Sequence, residues 1–195
     1  MIRLFFDTET TGLPKNNGYN RPAEDLDTWG TARLVQLSWI LDIDRVQVGY
    51  GDLIIKPDGF LIPEEASNVH GITTERALRE GVGCKQAVYH FLGAVRLADE
   101  VVGHNVEFDE HVVGSELFRY WGKNYMAGVK HIDTMKSGNV IEYVGIPSPR
   151  GYKWPKLMEL YVKLFGHEFE GAHNSMMDVT ATRECFWEGR DRGIF

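Results

Sequence analysis

Three short stretches of this chain carry residues able to do chemistry. The first is Phe6-Asp7-Thr8-Glu9-Thr10-Thr11-Gly12. Carboxylates at i and i+2 of an extended strand project from the same face. Two like charges that close raise each other's proton affinity unless a cation neutralises them, and a hard divalent cation takes oxygen ligands. The pair closes an apolar run, Ile2 to Phe6. The C-terminal end of a buried strand is where α/β proteins place their sites.

The second stretch is Gly103-His104-Asn105-Val106-Glu107-Phe108-Asp109. Asn105 can cap a following helix, which puts Asp109 in its first turns, where the helix dipole favours an acid. The third is His173-Asn174-Ser175-Met176-Met177-Asp178. Asn174 or Ser175 can cap the last helix, with Asp178 inside it and His173 on the entering loop. A histidine there can take up a proton near neutral pH. Taken singly, each stretch also fits a plain structural role: a wet strand end, a helix-start acid, a loop histidine.

The elements that must position these residues can be read from periodicity. Ile2 to Phe6 reads as a buried strand, and residues 14–31 as an exposed, turn-rich loop or insertion. Arg33 to Leu41 and Val46 to Ile55 read as two strands joined through Asp42-Ile43-Asp44-Arg45, hence an antiparallel pair. Helices are expected at 85–98, 107–120, 135–143, 155–165 and 174–189, with Pro155 in the first turn of its helix. Glu100 to Gly103 and His131 to Thr134 are short strands, and Pro147 to Gly151 is a loop. Antiparallel strands followed by alternating helix and strand predict an α/β fold: a mixed sheet flanked by helices.

Composition narrows the field. The 195 residues fit one domain, 1–195, large enough for an ordinary core. With 21 basic and 28 acidic residues the formal charge is −7, which excludes nucleic-acid binding through bulk positive charge but not through a local groove. From Arg119 to Lys163 the balance reverses: eight basic residues stand against Asp133, Glu142 and Glu159. Tyr152-Lys153-Trp154 adds rings beside a cation, a pattern suited to holding a single strand. Cys84 and Cys185 lie far apart without CxxC spacing, so a disulfide scaffold and a zinc ribbon are not expected. With no apolar run near membrane-span length and no signal peptide at the N-terminus, a cytoplasmic protein with no membrane contact is expected.

In this order, Asp7-x-Glu9, Asn105-x-x-Phe108-Asp109 and His173-x4-Asp178 resemble the DEDDh 3′–5′ exonuclease family, the group of the proofreading epsilon subunits and RNase T. The resemblance runs from Leu4 to about Phe186. Val69-His70-Gly71-Ile72-Thr73 is similar to the family's His-Gly-Ile segment, and His131-Ile132-Asp133-Thr134 to its later Asp-Thr strand. His173 at this spacing, in place of a tyrosine, points to the histidine branch.

The resemblance implies a ribonuclease H-like fold and removal of nucleoside 5′-monophosphates from the 3′ end of a strand; single-stranded DNA is the expected substrate, although nothing local to the motifs separates ribose from deoxyribose. It implies that Asp7, Glu9, Asp109 and Asp178 hold two divalent ions, Mg²⁺ or Mn²⁺, and that His173 is the general base. Thr10, Thr11, Gly12, Leu13, His70 and Asn105 are the expected substrate contacts. The same chemistry on RNA, as in an oligoribonucleotide-degrading enzyme, is the alternative. A non-catalytic interaction module fits poorly with five polar site residues in place. An Asp-x-Asp-x-Thr phosphatase loop leaves Asp109, His173 and Asp178 unexplained. Polymerase association is possible, but the C-terminal segment through which epsilon subunits bind their polymerase is not expected here.

Overall fold

Alternation along the first strand decides where everything else must pack. The computed structural model describes residues 1–195, and its first strand, β1 (Ile2–Thr10), runs through the centre of a sheet. Leu4 and Phe6 face one core and Phe5 the other, so both faces of the strand are buried. By the same period of two, Asp7 and Glu9 continue the Phe5 face and Thr8 the Phe6 face.

β2 (Leu34–Ile43) pairs antiparallel with β1, and β3 (Val46–Lys56) antiparallel with β2. The β2–β3 turn is tight: Asp44 and Arg45 both have positive φ, 46° and 75°, as a two-residue primed turn demands. β5 (Glu100–Gly103) runs parallel to β1, and β6 (His131–Asp133) parallel to β5. β4 (Val82–Gly83) pairs with the end of β3. The order is β4-β3-β2-β1-β5-β6. It is a mixed, ribonuclease H-like sheet with three antiparallel strands followed by parallel ones, flanked by helices.

α4 (Cys84–Leu97) and α5 (Val106–Trp121) cover the Phe6 face: Val88, Phe91, Val112 and Leu117 pack with Leu4, Phe6 and Leu37. α8 (Ser175–Asp191) covers the other face, where Val179 and Phe186 meet Phe5, Ile40 and Val102. α6 (Val140–Val144) and α7 (Leu157–Phe165) join α8 around Leu160, Leu164 and Cys185. Burying these side chains is worth about 1.5–3 kcal/mol each, which fixes both helices that carry site acids. No helix is long and apolar enough to cross a membrane.

Several expectations need correction. Residues 14–31 are not simply an exposed loop: they hold a short helix, α1 (Leu26–Trp29), whose Trp29 is fully buried against the Phe6-face core. The helix expected over 135–143 is confined to α6. Gly138 breaks it with a φ of 56°, where an added Cβ would lie 2.1 Å from the Ile194 carbonyl oxygen. Residues 147–151 are not a loop alone but open a small hairpin, β7 (Pro147–Ser148) and β8 (Gly151–Tyr152). Pro155 precedes α7 rather than starting it; Lys156 is the cap. Two helices were not expected at all: α2 (Glu64–His70) and α3 (Thr74–Glu80).

Candidate active site

The two faces of β1 carry two different acidic arrangements. On the Phe5 face, Asp7 and Glu9 meet Asp178 from the first turn of α8. Ligand oxygens of the three lie within 4.8 Å of one another, and all three residues are partly buried. The start of α8 is pinned to place these groups together. Asn174 Oδ1 accepts from the Met177 amide at 3.4 Å, the Ser175 amide donates to Gln36 Oε1 at 3.4 Å, and the Ser175 and Ser38 hydroxyls bond each other inside the core. β1 also shifts register between Glu9 and Thr10, a bulge beside the site.

On the opposite face Thr8 turns toward α5. Its amide and its hydroxyl both donate to Asp109 Oδ1, at 3.0 and 2.6 Å. Asp109 is buried. Its carboxylate is not one of the three whose ligand oxygens lie within 4.8 Å of one another. Its charge still reaches across the strand, as one of the groups raising the pKa of Asp7.

Electrostatically the site is strained. Burial raises the Asp7 carboxyl well above its usual range, and Asp109, Asp178 and Glu9 add to the effect. Burial, with Asp178 and Asp109, pushes Glu9 up to about 8. Burial pushes Asp109 up to about 7 against the two Thr8 bonds, and Asp178 up to about 6 against the His173 amide. The ion pairs of the molecule include none of these four acids. Clustered carboxylate oxygens without a basic partner are the donor set a hard divalent cation requires, so the residues present fit such an ion.

His173 lies on an exposed loop with φ 67°, and its amide donates to Asp178 Oδ2 at 3.2 Å. The loop histidine is thus tied through its backbone to one of the clustered acids. A cavity of about 390 Å³ opens over both, bounded by Trp154 and Met135.

The expected substrate contacts fare unequally. Leu13 is 59% exposed beyond the end of β1, free to meet a base. His70 is buried at the end of α2, with Nδ1 accepting from the Ile72 amide at 3.1 Å and the Thr10 carbonyl facing its other side. The Thr10 and Thr11 hydroxyls are committed within the protein, to the Gly12 and Thr31 carbonyls at 2.7 and 2.9 Å. They shape the strand end rather than offering free hydroxyls. Gly12 sits inside that turn, its amide 3.3 Å from the Thr10 hydroxyl.

Asn105 does not cap α5 with its side chain. It adopts a left-handed backbone, φ 66°, and its amide donates to Asp133 Oδ1 at 3.0 Å. Asp133 also accepts from the Met135 amide at 2.8 Å, so it organises two loops beside the site. Nor is the stretch from Arg119 to Lys163 one positive surface. Lys130 pairs with Glu100 at 2.8 Å, Lys136 with Glu107 at 2.6 Å and Lys153 with Glu159 at 2.6 Å, while Arg119 lies against Glu116.

Two contributors escaped the sequence reading. Thr8 holds Asp109, and strand alternation around Asp7 and Glu9 is the signal that points it there. His104 is half-buried, with Nδ1 3.0 Å from the Thr134 hydroxyl and Nε2 3.0 Å from the Pro155 carbonyl. Burial pushes its pKa down, so a neutral ring ties the 147–156 segment to the end of β5.

A ribonuclease H-like sheet with acids converging at the end of its first strand defines a class of metal-dependent nucleases. The chain belongs to the RNase T exonuclease family, whose family model matches residues 4–186, and with it to the DEDDh 3′–5′ exonuclease superfamily. Among solved structures it is similar to Escherichia coli exonuclease I in a zinc-bound complex with single-stranded DNA. That match has 23% identity and a TM-score of 0.75 over 98% of this chain and 41% of that one. It is similar to the same enzyme with a dT13 oligonucleotide, at 22% identity and a TM-score of 0.76 over 98% and 41%. It is also similar to exonuclease I from Methylocaldum szegediense, at 22% identity and a TM-score of 0.72 over 98% and 40%. The chain thus spans about two fifths of the exonuclease I chains it matches. No match was found among curated proteins.

Proposed function

We propose that this chain is a 3′–5′ exonuclease that releases nucleoside 5′-monophosphates from single-stranded DNA. The observation that carries the reading is the convergence of Asp7, Glu9 and Asp178 with no basic partner, beside Asp109. Those four acids would hold divalent cations, Mg²⁺ or Mn²⁺ and two in number, which supply positive charge to activate a water and to stabilise the leaving oxygen.

The chain's own residues do the rest. His173, on the loop whose amide bonds Asp178, takes the proton of the attacking water on its imidazole. The water oxygen bonds the phosphorus, the bond to the 3′ oxygen of the preceding nucleotide breaks, and that oxygen takes a proton from solvent while His173 returns its own to solvent. Such a base contributes about 10²–10⁴-fold. Leu13 and His70 border the terminal nucleotide, with Thr10, Thr11 and Gly12 supplying backbone and Asn105 the facing turn. Thr8 holds Asp109 on the far side of β1. Two buried free thiols, Cys84 and Cys185, suit a reducing compartment such as the cytoplasm. DNA is preferred to RNA because the similar exonuclease I structures hold single-stranded DNA.

The test is digestion of matched 5′-labelled DNA and RNA, single- and double-stranded, with Mg²⁺ or Mn²⁺ and with EDTA. The expected result is a ladder shortening from the 3′ end of single-stranded DNA, abolished by EDTA. A ladder that survives EDTA, runs from the 5′ end, or forms only on RNA contradicts the reading.

A further inference from the structure

Beside the acids lies a second cleft, whose aromatic walls have no part in the reaction above and which meets it only at Asn105. It is a cavity of about 630 Å³ walled by Tyr19, Phe108 and Trp154, with Asn105 and Lys136 at its edges. Trp154 and Met135 belong both to it and to the cavity holding His173 and Asp178, so the two spaces adjoin across one indole. A volume of this size suits a small aromatic ligand.

The two outer rings are exposed yet held in place. Trp154 is 57% exposed and Tyr19 42%. The backbone on either side of Trp154 is tied down. The Lys153 amide donates to the Ile146 carbonyl at 3.0 Å, and the Pro155 carbonyl accepts from His104 Nε2 at 3.0 Å. Tyr19 comes from the 14–31 insertion, with its ring centre 6.3 Å from that of Phe108. The insertion is anchored by Trp29, whose Nε1 donates to the Arg21 carbonyl at 3.1 Å and whose ring stacks on His111 at 4.9 Å. Large rings left in water on a fixed backbone mark a recognition surface.

Charge indicates what is recognised. Lys136 lies 5.5 Å from the Trp154 ring centre, but its ammonium is paired with Glu107 at 2.6 Å. The cleft thus offers little free positive charge for a phosphate and much flat apolar surface. That favours base stacking, the sequence-tolerant way to hold a single strand.

We propose that the cleft between Tyr19 and Trp154 is a stacking site for one nucleobase of the substrate strand, outside the terminal-nucleotide pocket. The insertion at 14–31 supplies one wall and the 147–156 segment the other. The assignment rests on the exonuclease reading for its ligand, but its test does not depend on turnover.

Binding is measured by fluorescence anisotropy with Asp178→Asn protein in Mg²⁺. The probe is 5′-fluorescein oligo(dT), either intact or with one abasic residue moved stepwise from the 3′ end. One internal position is expected to weaken binding by about 5- to 150-fold when its base is missing, the range for a stacked base. Adding Trp154→Ala or Tyr19→Ala should weaken binding of the intact strand comparably and erase that positional effect. Trp154→Phe and Tyr19→Phe should retain it. All four changes fall on exposed rings, and unchanged thermal melts check the fold. The proposal is overturned if the strand does not bind, if no internal position matters, or if the alanine variants discriminate like their parent. Intact positional binding without turnover by the wild-type protein would instead overturn the exonuclease reading alone.

Discussion

The two faces of β1 treat their acids in opposite ways. On the α8 face, Asp7, Glu9 and Asp178 crowd together without a cationic partner. On the α5 face, Asp109 receives two hydrogen bonds from Thr8. On both faces burial is the leading cause of the raised carboxyls. The difference lies in compensation. The α5 side is partly satisfied by the protein itself, whereas the α8 side needs charge from outside. One strand thus builds a receptive group and a prepositioned one within three residues, through side-chain alternation.

The largest effects should come from the receptive side. Asp7→Ala or Asp178→Ala is expected to lower turnover on single-stranded DNA by about 10⁴-fold or more while the fold survives. Initial rates and thermal melts check this, and wild-type rates in either variant would remove that acid from the ligand set. His173→Ala should cost about 10²–10⁴-fold with divalent-ion affinity largely retained. Unchanged turnover would exclude it as the base, and lost affinity would move it among the ligands.

A smaller effect belongs to the prepositioned side. Thr8→Val keeps the shape of the side chain and the amide bond to Asp109 but removes the hydroxyl donor. Stability should fall by about 1–3 kcal/mol and turnover by about 10-fold. If denaturant melts and rates both match wild type, the short Thr8 bond is idle and the contrast between the faces loses its basis.

The contrast was half legible in the sequence. The spacing of Asp7 and Glu9, the run Ile2 to Phe6 and the helix-start positions of Asp109 and Asp178 announced a site at a strand end between two helices. Thr8 passed as a spacer, because what it bonds depends on which helix covers which face. α2 and α3 were missed for a related reason. Their conspicuous apolar residues, Val69 and Leu78, are exposed, while small or polar ones, Ala77 and His70, are buried, so the pattern has no clear inward stripe. The basic residues after Arg119 misled because sequence counts charges but not partners: Glu100, Glu107 and Glu159 take up three of them. In the insertion, a single Trp29 sets the fold, and a single residue has no period.

The most direct test of the receptive side is thermal stability of the metal-free protein across pH 5.5 to 9, with and without Mn²⁺. Glu9, Asp109 and Asp178 have folded-state pKa values near 8, 7 and 6, above those of the unfolded chain. Groups raised in this direction contribute stability that is full below about pH 4 and is lost as pH rises through 6 to 8. The melting temperature of the metal-free protein should therefore fall between pH 5.5 and 9. Mn²⁺ should restore it, most at pH 9, and Asp178→Asn should flatten both responses. A metal-free melting temperature that stays level over this range, with no rise on adding Mn²⁺, would contradict the assignment of Asp7, Glu9 and Asp178 as a cation site.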